Sequence, residues 1–389
     1  MDINKSKITL FFILISLMKI SVAQQWEWGH IVSSNDYVSM EDISCDMDGN
    51  CYMIGNNYDS VTYQGSMIPS QALTSFLIKT NTNGNPLMLK LVGNVDFRKM
   101  KVDRFKNIFI YGISSGIGFG FANSWHNGSS FVLKYDSLGN ECWVRSTGGF
   151  IQDLDLSTQG NIGVCGYYNW STYFYNQNLL FYGDGDMFVA ELDPDGALNW
   201  LYTNGGISSD KARSLAYNPD NSVIVAGQFE DTMQIPGQLI SMESPFYDNF
   251  LMKINSAGNP VWLRSFPNSL AMDEIECLPN YNIIAGAYGG WANDTLTFGS
   301  IELICDPGSS KFVVVCFDST GIPVWANIGF ANDLLRLKDM QVSFNNNIWI
   351  TGYSRGDELN LLEYVLPGDT SNLYYIPFLI KYRDNGHLA

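Results

Sequence analysis

Three histidines, seven cysteines and 39 acidic residues are the groups from which this 389-residue chain would have to build a reactive site. His30, His126 and His387 stand far apart and share no motif. This argues against a histidine-based zinc site and against a Ser-His-Asp triad, which both need imidazoles in a set relation to their partners. Asp46-x-Asp48-Gly49-Asn50 opens like a calcium loop, and Asp184-Gly185-Asp186 offers a similar carboxylate pair. The distal Glu of an EF-hand is missing, however, and the Asp-x-x-Gly-Asn layout recurs at Asp136. Turn capping is therefore the expectation, calcium the alternative, and no cofactor is expected. Spacing alone does not pick a glycosidase-type carboxylate pair out of so many acids.

The cysteines speak more of compartment than of catalysis. Cys45 and Cys51 flank the turn Asp46–Asn50 and should face each other across a hairpin. A non-hydrogen-bonded facing pair brings Cα atoms to ~4.5 Å, within reach of a disulfide, and that bond is expected here. Cys142, Cys165, Cys277, Cys305 and Cys316 are odd in number and read as small apolar filler, with at least one thiol free. Asp-Ser and Asp-Thr steps at Asp59, Asp136, Asp231, Asp294 and Asp318 read as turn dipeptides, with O-glycosylation as the alternative.

The elements that must position these groups follow from composition. Hydrophobic residues at 46% with 14% aromatics exclude a disordered chain. Only 16% charged residues, beside 36 glycines, point to an all-β protein rich in turns. A net charge of −17 argues against nucleic acid as a partner. At the N-terminus, Lys5 and Lys7 precede an apolar run, Ile8 to Met18, followed by Ser21-Val22-Ala23. This is the layout of a secretory signal peptide over residues 1–23, cleaved after Ala23. The run is too short to span a bilayer, so an exported product is expected, extracellular, cell-surface or periplasmic, with no transmembrane segment.

Residues 24–389 read as one domain built from an internal repeat. Phe131, Lys134, Asp136, Gly139, Trp143 and Arg145 return as Phe188, Glu191, Asp193, Gly196 and Trp200. They return again as Phe250, Lys253, Asn255, Gly258, Trp262 and Arg264. Weaker copies hold Phe76, Lys79, Asn81, Gly84 and Met88; Asp318, Gly321 and Trp325; and Phe378, Lys381, Arg383 and Gly386. Each copy predicts a hairpin whose Asp/Asn-x-x-Gly turn takes glycine at the left-handed position. A second hairpin precedes each one, with a polar turn and then an apolar strand ending at Gly55, Gly112, Gly166, Gly227, Gly286 or Gly352. Four strands, repeated six times, predict a six-bladed β-propeller. Its last blade would be closed by the N-terminal strand Gln25-Trp26-Glu27-Trp28-Gly29. Recurrence of the tryptophan in four copies predicts packing between blades rather than a ligand platform.

These motifs resemble the secreted bacterial β-propeller-repeat (SBBP) family of Bacteroidetes-type exported proteins, over nearly all of residues 25–389. The resemblance implies a propeller, and the family pattern makes seven blades the alternative to six. It implies no specific activity. Catalytic propellers with similar repeats fail on spacing. A sialidase-type box places Asp two before Gly and Trp three after, whereas Asp193 is three before Gly196 and Trp200 four after.

The expected function is that of a non-catalytic exported scaffold binding a protein or glycan through variable loops. Trp125, Tyr167, Tyr168, Trp170, Tyr173 and Tyr175 are the candidate binding residues. The alternatives are a carboxylate-dependent glycosidase or lyase acting at the axial face, and a purely structural envelope or matrix protein. Several carboxylates with a Tyr or Arg in one funnel would mark the enzyme.

Overall fold

The computed structural model describes residues 30–388, apart from 35, 70–72, 182, 245, 268–269, 290–294, 305–307, 344, 356–357, 362–363 and 368–374. The expected signal peptide, the strand Gln25–Gly29, Asp294 and Cys305 lie outside the described residues. Among the described residues every regular element is a β-strand, and no helix is long and apolar enough to cross a membrane.

The repeat appears as antiparallel meanders. Repeat 1 pairs Val38–Cys45, Cys51–Asn57, Thr74–Thr80 and Pro86–Gly93 in that order; repeat 2 pairs Val95–Val102, Ile108–Ser114, Ser130–Tyr135 and Glu141–Thr147. Repeat 3 comprises Phe150–Leu156, Ile162–Tyr168, Asp186–Leu192 and Leu198–Asn204; repeat 4 comprises Lys211–Tyr217, Val223–Phe229, Asp248–Ile254 and Pro260–Phe266. Repeat 5 comprises Ala271–Cys277, Ile283–Gly289, Ser310–Phe317 and Pro323–Ala331. Among the described residues repeat 6 has three strands, Leu335–Val342, Ile348–Ser354 and Ile376–Tyr382. The variable segments between second and third strands fold as small two-stranded hairpins, such as Thr172–Phe174 with Gln177–Leu179.

The turns form as their residues dictate. Asp136 accepts hydrogen bonds from the backbone N–H of Leu138 and Asn140 at 2.9 and 2.8 Å. The six glycines of these turns have φ between 76 and 84°, a region glycine enters without steric cost. Asp46 caps its own turn in the same way. Its carboxylate accepts from Asp48 N, Asn50 N, Asn50 Nδ2 and the Tyr52 hydroxyl at 2.8–3.0 Å.

Consecutive repeats are tied by two recurring devices. At the third strand, Ser75 Oγ accepts from Phe97 N at 3.0 Å, Ser130 Oγ from Ile151 N at 2.9 Å and Ser310 Oγ from Leu335 N at 3.0 Å. At the fourth strand, the repeat tryptophan lies on the turn glycine of the next repeat. A Cβ added to Gly196, Gly258, Gly321 or Gly386 would come within 2.7–2.9 Å of Trp143, Trp200, Trp262 or Trp325. Trp143 and Trp325 also donate their indole N–H to Pro194 O and Asp384 O, at 3.2 and 3.0 Å. The tryptophans are packing residues, as their recurrence predicts.

Candidate functional site

Each first strand carries a β-bulge at the same place, so one extra residue re-aims the side chains that follow. The bulged residues are Glu41, Arg98, Gln152, Arg213, Asp273 and Lys338. The next residue in each strand is Asp42, Lys99, Asp153, Ser214, Glu274 or Asp339, and two positions on stand Ser44, Lys101, Asp155, Ala216, Glu276 and Gln341.

These post-bulge side chains meet. Lys99 Nζ lies 2.7 Å from Asp153 Oδ1 of repeat 3 and 3.6 Å from Glu274 Oε2 of repeat 5. Lys101 Nζ lies 3.3 Å from Asp155 Oδ1. The carboxylates also accept from the following repeat. Asp42 Oδ2 accepts from Met100 N at 2.7 Å, and Asp153 Oδ2 from Leu215 N at 2.9 Å and Ser214 Oγ at 2.7 Å. Six carboxylates thus share two ammonium groups. Burial pushes Glu274 up to about 8 against the pull of Lys99, Glu276 up to about 7 and Asp42 up to about 6. Burial opposes the charge of Lys99 too, yet Asp153 and Glu274 together hold its ammonium well above the ordinary lysine value.

Toward the start of the same strands the chemistry reverses. Arg213 donates to Gln152 Oε1 at 3.5 Å and Gln228 Oε1 at 3.1 Å, and its Nε lies 4.0 Å from Asp273 Oδ1. Two positions before each bulge stand Ser39, Asp96, Phe150, Lys211, Ala271 and Arg336, of which Lys211 and Arg336 reach toward the preceding repeat. Lys211 sits over the Tyr167 ring at 5.1 Å and Arg336 over Tyr288 at 5.7 Å. Lys338 lies 5.7 Å from the Tyr353 ring, and Tyr353 packs on Tyr375 at 5.1 Å. The twelve bulge and pre-bulge positions hold five cations and three anions; the twelve post-bulge positions hold two cations and six anions. We call the first set the mouth and the second the axis.

The six aromatics expected to bind do not form one surface. Tyr167 and Trp170 reach the mouth, both packed on Phe150, and Trp170 is 47% exposed. Tyr168 is 1% exposed and donates to Leu180 O at 3.0 Å. It is a core residue, because strand alternation turns it to the face opposite Tyr167. Tyr175 packs under Arg145, with 4.9 Å from guanidinium to ring, on the small hairpin that pairs with repeat 2. Tyr173 is on the same hairpin, its hydroxyl 3.4 Å from Asn127 O. Trp125 is 61% exposed on another hairpin, Phe119–Phe121 with Ser124–His126.

Cys45 and Cys51 face each other across the hairpin, with sulfurs 3.0 Å apart. Cys165 and Cys316 are buried in the core. His126 Nε2 lies 3.1 Å from Phe121 O, far along the chain from the other two histidines.

Sequence reasoning missed the axis. Its signal was present: a polar residue four positions before each first-hairpin turn, which begins at Asp46, Asp103, Ser157, Asn218, Leu278 or Ser343. In five of the six repeats a second polar residue stands two positions before that turn.

No family model matches the chain. A curated protein, the regulatory protein FlaEY of Caulobacter vibrioides, is 21% identical over 234 residues, covering 58% of this chain and 23% of that protein. The chain thus spans about a quarter of that relative's length. Among solved structures, a Bacteroides caccae protein of unknown function is similar at TM-score 0.40 and 12% identity, over 74% of this chain and 81% of that one. Prolyl oligopeptidase B of Galerina marginata is similar at TM-score 0.37 and 11% identity, over 88% and 46%. Pyrococcus horikoshii acylaminoacyl peptidase is similar at 0.32 and 8%, over 83% and 59%.

Proposed function

We propose that the chain is an exported, non-catalytic scaffold, a six-bladed β-propeller that binds a glycan or protein surface carrying acidic groups at its mouth. The propeller reading is supported by the Lys99–Glu274 contact at 3.6 Å, which joins repeats three apart and so asks that first strands converge on one axis. The binding reading is supported by cations stacked on half-buried aromatics at the mouth, in a chain whose net charge is −17. That overall charge repels extended polyanions, while the local excess of cations accepts isolated carboxylate or sulfate groups. The non-catalytic part draws on the structural engagement of this cluster: both oxygens of Asp153 are held, by Lys99, Ser214 and Leu215 N. Export through residues 1–23 is part of the same proposal.

The test is an array of uronate-bearing, sulfated and neutral oligosaccharides probed with the secreted protein, with pull-down of surface proteins alongside. Saturable binding of acidic members without turnover is the expected result. The enzyme reading draws on Glu274, a carboxyl held at about 8 among five other carboxyls, the kind of raised acid that glycoside cleavage uses. Product release that disappears in Glu274→Gln would establish that reading instead.

A further inference from the structure

Four aromatic rings at the mouth carry a cation of the chain. Lys211 lies over Tyr167, Arg336 over Tyr288, Lys338 over Tyr353 and Arg355 over Tyr375, at 5.1–5.7 Å. Tyr37 and Tyr58 of repeat 1 break that pattern. They are 56% and 51% exposed, and their ring centroids lie 6.0 Å apart at an angle of 58°. Among the described residues no lysine or arginine lies over either ring. The strand register shows what has been exchanged. Val38↔Asn57 opens repeat 1 as Leu335↔Ser354 opens repeat 6. One step outside each pair, Tyr58 N donates to Tyr37 O at 3.3 Å and Arg355 N to Leu334 O at 2.7 Å. Tyr58 therefore holds the place of Arg355, and Asp36 that of Asp333, which accepts from Arg355 with both oxygens at 2.7 and 3.1 Å. Repeat 6 supplies its own guanidinium; repeat 1 keeps the carboxylate and puts an aromatic face in the cation's place.

These two rings stand over a cavity of about 430 Å³ at the seam of repeats 1 and 2, lined also by Ser39, Glu41, Asp96 and Arg98. Asp96 is already engaged, since Arg98 Nη2 and Asn56 Nδ2 both donate to it. Burial nevertheless raises its carboxyl above the ordinary value, against the pull of Arg98 and with the push of Glu41. Glu41 is half-buried and accepts from Ser39 Oγ at 2.6 Å. Among the described residues no ammonium or guanidinium pairs with it. A carboxylate without a counter-charge beside two open ring faces is complementary to a cation, which the ring quadrupoles and the carboxylate both attract.

We propose that this cavity is a second binding site, which takes the ammonium group of a lysine side chain on a partner protein. The remaining polar groups favour lysine over an amino sugar. Ser39 is held by Glu41, and Asn56 is held by Asp96, Ser75, Phe97 N and Phe97 O. A sugar would need free partners for several hydroxyls, whereas lysine brings one charged head and an apolar stem that lies along ring faces. The net charge of −17 steers a basic protein toward the chain. This goes beyond the binding of acidic groups and stands on repeats 1 and 2 alone.

The test is calorimetric titration of the full chain with a capped lysine-rich peptide, with its glutamate counterpart and a glucosamine oligomer alongside. Saturable binding of the lysine peptide is expected, weakened at least about fivefold by Glu41→Gln and by Tyr58→Leu and retained in Tyr58→Phe. No binding, or a preference for the glucosamine oligomer, overturns the proposal. Glu302→Gln removes an exposed carboxylate from the small hairpin of repeat 5, Thr295–Phe298 with Ile301–Ile304, and should leave the affinity unchanged. An equal loss there would trace the attraction to overall charge and overturn the site. Arg336→Ala/Lys338→Ala should spare the lysine peptide while weakening acidic oligosaccharides. Loss of lysine binding with acidic binding intact would therefore remove this site and leave the first reading standing, and the converse would do the reverse.

Discussion

The mouth and the axis are built from the same six strands, one to five residues apart, yet they solve opposite problems. At the axis six carboxylates crowd two lysines, and ion pairs and backbone N–H groups from adjacent repeats absorb the charge. At the mouth arginines and lysines outnumber acids and lie on tyrosine faces, partly open to water. Charge turned inward is used to hold repeats together; charge left outward is available to a partner. The bulge makes this split, since it lets neighbouring residues of one strand serve both layers.

Removing a cation should therefore cost far more at the axis. Lys99→Met leaves Asp153 and Glu274 facing each other without their ammonium, and urea unfolding should show a loss of about 3–5 kcal/mol. Lys338→Met at the mouth should stay within about 0.5 kcal/mol. Equal losses would erase the distinction. Between these falls Gly196→Ala, which forces a side chain into φ 79° and against Trp143. The expected loss is about 2 kcal/mol, read from the same denaturation curves.

The axis should also show itself in pH dependence. Glu274, raised to about 8 in the fold from an ordinary value of 4.5, binds its proton more tightly folded than unfolded. Its contribution is therefore greatest below the unfolded value and is lost as pH rises toward 8. Glu274→Gln should flatten that decline by about 1–2 kcal/mol, measured as unfolding free energy from pH 5 to 8.5; a variant with an unchanged slope would show that Glu274 does not titrate in this range. A small effect is also expected at the hairpin. In secreted protein Cys45 and Cys51 should be joined, and reduction should cost about 1 kcal/mol or less because the turn already pairs them. Thiol labelling that modifies both residues in the unreduced protein would contradict the bond.

The hairpins were legible because each is local: Asp136 and Gly139 specify their turn within four residues, and Phe131 and Trp143 mark its strands. The tryptophan's partner was legible in kind, since four recurring copies point to packing. The axis was not, because Lys99, Asp153 and Glu274 are 54 and 121 residues apart in sequence; only the packing of first strands from separate repeats, with their bulges, brings them together. Tyr168 was misread for a related reason. A run of aromatics in a loop-like segment hides the strand alternation that buries Tyr168 and frees Tyr167.

The most direct test of the central claim is calorimetric titration of the acidic oligosaccharide recovered from the array into the secreted protein and its Arg336→Ala/Lys338→Ala variant. The account predicts binding weakened at least about tenfold, some 1.4 kcal/mol, with the unfolding midpoint unchanged. Undiminished affinity in the variant would contradict a ligand seated at the mouth.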